Sequence, residues 1–303
     1  MLFKLQDVTK TYGPVTALDN LSVEAPLGAI GLLGPNGSGK TTLIRTLLGL
    51  IAIDSGTGHV LGMDIRTDRL AIRQSVGLMP EDDCLFPAVD GVGFASYAGE
   101  LAGMSPTDAM QRAHEVLDYV GLGEARYRKV ESYSTGMKQR AKLAAAIVHD
   151  PKLLILDEPT NGMDPAGRQE MIELAWDLAH NKGMSLLFSS HLLPDVEAVC
   201  DHVLVLGRGR LLLEGRIPEL KQTHDRLYEL RPKDRDGRLR ARLAESGLLV
   251  DTVDDYLLIQ LTADQRPTML WELARATGDQ IRHLRPRRST LEEVFLSALG
   301  EVQ

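Results

Sequence analysis

Apolar and polar positions alternate between two rhythms along this chain. The first thirty residues read as short strands, with Leu5, Val8, Leu18, Leu21 and Val23 separated by the turn-like Tyr12-Gly13-Pro14 and Pro26-Leu27-Gly28. Ala29–Leu33 is a strand-length apolar run, followed by the glycine-rich GPNGSGK and the helical pattern TTLIRTLLGL. From about Asp90 to Val130 the pattern is helical and moderately polar, and Met137–Val148 predicts a strong helix stopped by Asp150-Pro151. Leu153–Leu156 then reads as a buried strand, Arg168–Leu178 as a helix, Ser185–Phe188 as a strand and Leu193–Val199 as a short helix. Val203–Leu206 and Leu211–Leu213 complete the strand series. Strands alternating with helices imply an α/β core built on a parallel sheet.

The texture changes after Gly215. Residues 221–242 are dense in charge, and the arginine-rich stretch 226–242 reads as a solvated linker or exposed face, with contact to lipid headgroups or a partner as the other reading. A strand-like YLLIQL, a helix-like QRPTMLWELARA and a closing STLEEVFLSAL follow, which together predict a small α+β module beyond a boundary near residue 217. No internal repeat is evident.

Composition narrows the classes. The 303 residues are 44% hydrophobic and 25% charged, as in ordinary globular proteins, and are enough for one large domain with an appendage. A net charge of −8 argues against a general nucleic-acid binder, so an anionic ligand would have to be held by local geometry. Cys84 and Cys200 stand far apart with no CxxC pair, which disfavours a disulfide framework or a structural zinc and suggests a reducing compartment. His59, Cys84, His149 and Cys200 have no partner at ligand spacing and read as structural. The N-terminus lacks the apolar core of a signal peptide, and no run of about eighteen apolar residues occurs. A role at a membrane would need a second chain to span it.

Three segments carry chemistry. Gly34-Pro35-Asn36-Gly37-Ser38-Gly39-Lys40-Thr41 matches GxxxxGK[ST], between an apolar strand and a helix. Its glycines let successive N–H groups form an anion nest at the positive end of the following helix. Lys40 can reach the β- and γ-phosphates of a nucleoside triphosphate, and the Thr41 hydroxyl can ligate Mg²⁺. Leu153–Leu156 ends in Asp157-Glu158, which places two carboxylates at the carboxyl edge of the sheet, where open parallel sheets bind ligands. Asp157 is expected to hold Mg²⁺, and Glu158 to orient or deprotonate an attacking water. Ser134-Thr135-Gly136-Met137 precedes a helix, and two readings are open: an N-cap, or a second anion site.

Taken in order, these segments resemble the nucleotide-binding subunits of ABC transporters over nearly all of residues 1–215. Tyr12 lies where that family stacks an aromatic ring on adenine. Gly34–Thr41, with Thr42 beyond it, resembles the Walker A loop, Leu153–Glu158 the Walker B strand, and Ser134, Thr135, Gly136 and Met137 the signature. Asn161-Gly162-Met163-Asp164 resembles the D-loop, and His191 after Phe188-Ser189-Ser190 the switch histidine. The resemblance implies a P-loop ABC ATPase core over residues 1–217, with an N-terminal antiparallel β-subdomain and a helical subdomain at about 82–148, and an accessory module over 218–303. It further implies a homodimer, or a pair of ATPase subunits, that sandwiches two ATP molecules with Mg²⁺. Each ATP would lie between one chain's Walker A and the other chain's signature, Asp164 would couple the two sites, and His191 would bond the γ-phosphate region. An integral membrane permease and a peripheral place on the cytoplasmic face of the membrane follow; no nucleic-acid partner does.

Two departures from the family pattern stand out. Glu81 occupies the position where glutamine commonly serves Mg²⁺ and the attacking water, and the signature reads YSTGM in place of LSGGQ. With TNGMDP and the closing Ser289–Leu296, these resemble the subfamily that partners ABC-2-type exporter membrane subunits. Leu85 and Phe86 lie where the family receives the permease's coupling helix; a local core is the other reading. The alternatives, a soluble ABC ATPase on ribosomes or nucleic acid, or an importer ATPase, fit less well. The chain has a single Walker A loop and no zinc module or long coiled coil, and importers more usually keep the glutamine. The cargo and the identity of the permease are not written in this chain.

Overall fold

Five parallel strands, and one antiparallel strand at the edge, form the central sheet. Their order is Arg210–Arg216, His202–Gly207, Ala29–Leu33, Ser185–Ser189, Leu153–Asp157 and Val76–Met79, and only the first pair is antiparallel. The coordinates are a computed structural model that describes residues 1–221, 223–233, 237–253, 255–262, 265–288 and 290–300. Strands Ala29–Leu33, Leu153–Asp157 and Ser185–Ser189 are buried at every position. That is why their sequences are unbroken apolar runs: a parallel sheet is covered on both faces.

Register decides where the loops emerge. Leu32 pairs with Ser189, Ser189 with Asp157, and Leu156 with Met79. The segments starting at Gly34, Glu158, Ser190 and Pro80 therefore leave the sheet from one edge, side by side.

A second, antiparallel sheet carries Val15–Ala25, Phe3–Tyr12, Ser55–Val60 and Met63–Asp64. The predicted short strands of the first thirty residues are in fact two long ones, joined at Gly13-Pro14. Phe3, Leu5, Leu18 and Leu21 from this sheet share one buried cluster with Ile30, Leu43, Ile155 and Leu187. Each such side chain contributes about 1.5–3 kcal/mol relative to exposure.

Between the neighbouring strands Val76–Met79 and Leu153–Asp157 the chain makes helices Gly91–Leu101, Pro106–Tyr119 and Thr135–Ile147. Each starts at an acceptor side chain: Asp90 takes the Gly93 N–H at 2.7 Å, Ser105 that of Asp108 at 3.2 Å, and Ser134 that of Met137 at 3.3 Å. Asp150, at φ 52°, turns the chain out of the last helix ahead of Pro151.

The chain divides into two compact units, Met1–Ile217 with the residues from Phe295 onward, and Pro218–Val294. The smaller unit is a four-stranded antiparallel sheet in the order Leu249–Val253, Tyr256–Gln260, Thr223–Pro232 and Ile281–Arg288, with helices Arg238–Glu245 and Thr268–Thr277. In chain order this is strand–helix–strand–strand–helix–strand, the split βαβ or ferredoxin-like pattern. Leu230, Leu243, Ile259 and Leu270 are at its centre.

Of the two expectations for the charge-dense run, the linker fails and the exposed face holds. It supplies the strand Thr223–Pro232 and the helix Arg238–Glu245. Leu230 is buried, while Glu229 pairs with Arg285 and Arg231 with Asp255 on the strand's other side. Period-two alternation was present but masked by long charged side chains that pair across strands. Residues 222 and 234–236 of that run, and Ser289 of the closing segment, lie outside the described residues; helix Leu291–Gly300 follows. Among the described residues no helix is long and apolar enough to cross a membrane.

Candidate functional site

A cavity of about 620 Å³ opens where the loops leave the sheet. Asn36, Gly37, Ser38, Gly39, Lys40, Thr41 and Thr42 line one side, with Glu81, Asp157, Glu158 and His191 opposite. Gly34 and Pro35 lie behind this wall and shape it. A Cβ on Gly34 would stand 2.4 Å from Ser38 Oγ and 2.6 Å from the Leu206 oxygen. Gly39, at φ 106°, would meet the Ala17 oxygen at 2.5 Å. Both positions need glycine for the loop to close against its neighbours.

Helix Lys40–Leu47 starts with no side-chain cap, so its first N–H groups stay available to an anion. Lys40 is 9% exposed and its ammonium donates to the Gly34 and Pro35 oxygens at 2.7 and 3.3 Å. Burial lowers its pKa, against the pull of Glu158, Asp157 and Glu81. The Ser38 hydroxyl, buried in the same wall, has no hydrogen-bond partner among the described residues. A buried cation, an unpaired hydroxyl and free helix N–H groups together suit a polyphosphate.

The opposite wall is acidic. Asp157 is 6% exposed, and burial raises its pKa. Glu158 is 7% exposed and sits at φ 49°, a left-handed conformation unusual for a side chain of its size. Its own N–H is bonded to the Ser189 oxygen at 2.9 Å, which holds that geometry. His191 Nδ1 lies 2.8 Å from Glu158 Oε2, and the His191 N–H reaches the same oxygen at 3.4 Å. Among the described residues no cluster of three or more His, Cys, Asp or Glu side chains surrounds a metal position. Mg²⁺ bound with a nucleotide needs only one or two carboxylates, phosphate oxygens and water. Asp157, Glu81 and the Thr41 hydroxyl provide a donor set of that kind.

Tyr12 does not line the cavity. It ends strand Phe3–Tyr12, 45% exposed, with Lys10 Nζ 5.4 Å from its ring centroid. Val15, its cross-strand partner, does line the cavity.

Ser134, Thr135, Gly136, Met137 and Asp164 line a separate cavity of about 530 Å³. Ser134 does cap its helix, and Asp164 caps helix Pro165–His180 by accepting from the Gly167 N–H at 2.9 Å. Gln139 Nε2 donates to the Asn161 oxygen at 3.2 Å, tying the two helix starts together. Phe86 is 48% exposed, yet packs edge-on against Phe94 and Tyr97 with centroids 6.0 and 5.7 Å away. That packing is the local core expected of the loop.

Two groupings were not singled out from the sequence. Asp195 is wholly buried; it accepts from the Thr160 hydroxyl at 2.7 Å and from Arg168 Nε at 2.8 Å. It thus ties the segment after Glu158 to the helix after Asp164 and to the one after His191. Lys142, 2% exposed, donates to the Glu81 oxygen at 3.0 Å. A lone charge in an otherwise apolar helix stretch was the available signal for Lys142; nothing local distinguished Asp195.

Comparisons with known proteins agree with this geometry. The ABC transporter family profile matches residues 18–161. Relatives include the ABC transporter ATP-binding protein YxlF of Bacillus subtilis, 37% identical over 98% of this chain and 99% of its own. The linearmycin resistance ATP-binding protein LnrL of Bacillus subtilis is 36% identical over 99% of this chain and 98% of its own. This chain belongs to the ABC transporter ATP-binding proteins.

The daunorubicin/doxorubicin resistance ATP-binding protein DrrA of Streptomyces peucetius is 34% identical over 97% of this chain and 91% of its own. Among solved structures, a dimeric ATP-binding cassette bound to ADP and phosphate superposes with a TM-score of 0.65 at 23% identity, covering 71% of this chain and 98% of that one. The CbiO1 subunit from Clostridium perfringens gives 0.65 at 27% identity, covering 72% and 90%. The expected fold class is therefore correct: an ABC ATPase cassette on a P-loop α/β core, with a small α+β module. The ABC ATPase binds and hydrolyses ATP as the nucleotide subunit of a transporter.

Proposed function

We propose that this ABC ATPase drives export through a separate membrane permease of the ABC-2 type, with two ATPase chains closing on two ATP molecules. One observation carries the reading: a single chain holds two anion-suited helix starts in two different cavities, and only the one at Lys40 has a buried lysine and buried carboxylates. The second is half of a site, completed when it covers the phosphate loop of another chain. The accessory module, residues 218–303, belongs to the same functional unit, since LnrL and DrrA match across it. Those relatives are named for resistance to linearmycin and to daunorubicin/doxorubicin, which supports export.

In this mechanism the loop from Gly34 to Thr42 and the Lys40 ammonium hold the β- and γ-phosphates, and Tyr12 stacks on the adenine. Thr41, Asp157 and Glu81 would hold Mg²⁺, which would supply positive charge beside the phosphoryl group in transfer. Glu158 takes the proton of the attacking water. His191, 2.8 Å from the Glu158 carboxylate, fixes that carboxylate's orientation and faces the γ-phosphate. Ser134 and Gly136 of the second chain complete the γ-phosphate shell, and Asp164 relays the state of one site to the other. Phe86 and its neighbours receive the permease on the cytoplasmic face of the membrane.

The test is purification of the tagged full chain from detergent-solubilised cells. A polytopic membrane protein retained through a salt wash, and ATPase activity raised by adding it back, is the expected result. Retention of ribosomes or DNA in its place overturns the reading.

A further inference from the structure

We infer that Lys142 is a positioning residue that anchors the Glu81 segment to the helix opening at Ser134. A buried lysine is costly unless its ammonium is bonded. Here the partner is a main-chain oxygen, that of Glu81, at 3.0 Å, and the lysine is 2% exposed. The bond spans 61 positions of sequence. It ties an exposed loop without regular secondary structure to helix Thr135–Ile147.

The surroundings explain why a cation suits this position. Glu81, Asp82 and Asp83 form a continuous acidic run, and Glu81 shares its cavity with Asp157 and Glu158. Unneutralised, these carboxylates would repel and the loop would move away from the sheet edge. Lys138, one helical turn earlier, lies 3.8 Å from the Asp83 carboxylate, so two lysines on one helix face hold the same loop. Lys138 is the partly exposed member and Lys142 the buried one, so the anchoring falls mainly to Lys142.

The consequence is mechanical. Glu81 stands at the nucleotide cavity, and Ser134–Gly136 stands at the other cavity, on the same helix as Lys142. A shift of Glu81 on binding is passed through one hydrogen bond to the helix start that would cover the other chain's nucleotide. This rests on Glu81 being a Mg²⁺-side residue, as proposed above.

The test uses the full chain carrying Lys142→Met, which keeps the stem and removes the ammonium, with Lys142→Arg and Lys138→Met alongside. Amide hydrogen exchange at residues 81–84 is measured without nucleotide, and ATP affinity is measured with Mg²⁺ and with EDTA. Lys142→Met should speed exchange at 81–84 by about tenfold and remove about tenfold of the Mg²⁺-dependent gain in affinity, leaving the EDTA value unchanged. Lys142→Arg should restore part of both, and Lys138→Met should change each by less than about threefold. Unchanged exchange at 81–84 in Lys142→Met overturns the anchor, as does an equal loss with and without Mg²⁺. If Lys142→Met does not fold, Lys142→Gln decides: faster exchange at 81–84 in the folded Lys142→Gln chain supports the anchor, and wild-type exchange there overturns it. Glu81→Ala separates the two layers. If it leaves the Mg²⁺ dependence intact, the metal-side reading of Glu81 fails, whereas exchange at 81–84 still reports on Lys142 alone.

Discussion

The helices that begin at Lys40 and at Thr135 look alike in sequence, each opening beside a serine and a glycine, but the chain has equipped them differently. The first has no side-chain cap, a buried lysine folded into its loop and two buried carboxylates facing it. The second is capped by its own Ser134, is exposed at its tip, and faces helix Pro165–His180 across an open cavity. Preorganised charge is costly to bury, and of these two helix starts only the one at Lys40 carries it. The other helix start carries no such cost because it needs only to present hydrogen-bond donors to a phosphate already in place. One chain therefore holds a finished half and a complementary half.

Glu158→Gln attacks the finished half most directly. Hydrolysis should fall by about 10²–10⁴-fold while ATP binding persists, read by phosphate release and equilibrium binding. Wild-type turnover in that variant would remove Glu158 as the base.

Next in size is a contrast of two glycines. Gly34→Ala forces a Cβ against a backbone oxygen at 2.6 Å and should cost about 1–3 kcal/mol of stability, along with nucleotide binding. At Gly136 the nearest atom to an added Cβ is Met163 Cε at 3.5 Å, an ordinary contact. Gly136→Ala should melt like wild type and bind ATP normally in the isolated chain, yet slow turnover in the assembled transporter. Equal behaviour of the two variants in a melt would erase the distinction between the halves.

Ser134→Ala sharpens the same point at smaller scale. Loss of the cap should cost about 1 kcal/mol, seen in a denaturant melt, with ATP affinity of the isolated chain unchanged.

The smallest effect concerns the edge of the cavity. Asp54 accepts from the Thr11 hydroxyl and N–H, both at 2.6 Å, and from Lys10, bracing the strand end that carries Tyr12. The Thr11 bonds, helped by Lys10, hold its carboxyl down at about 2. A lowered carboxylate stabilises the fold above its ordinary pKa and loses that contribution as pH falls toward the folded value. The gap in thermal midpoint between wild type and Asp54→Asn should therefore be steady above about pH 5 and close between about pH 4 and pH 2.

The parts of this molecule that could be read from its sequence are those where the physics is local. The loop from Gly34 to Thr41, the strand ending in Asp157 and the helix start at Ser134 each announce themselves within about a dozen residues, through glycine, apolar runs and caps. Lys142 and Asp195 do not, because their partners lie 61 and 35 positions away. Their burial comes from packing that no single stretch reveals. The strand Thr223–Pro232 was hidden for a related reason: its outward charges are paid for by cross-strand partners such as Arg285, far along the chain.

The left-handed backbone at Glu158 has a bearing on how this ATPase would respond to selection. A non-glycine residue there carries roughly 1–2 kcal/mol of conformational strain, which glycine would release and asparagine would lessen. A laboratory search for heat-tolerant variants, run without a demand for turnover, would find that position among its targets. The hardiest survivors would be chains that still bind the fuel and can no longer burn it.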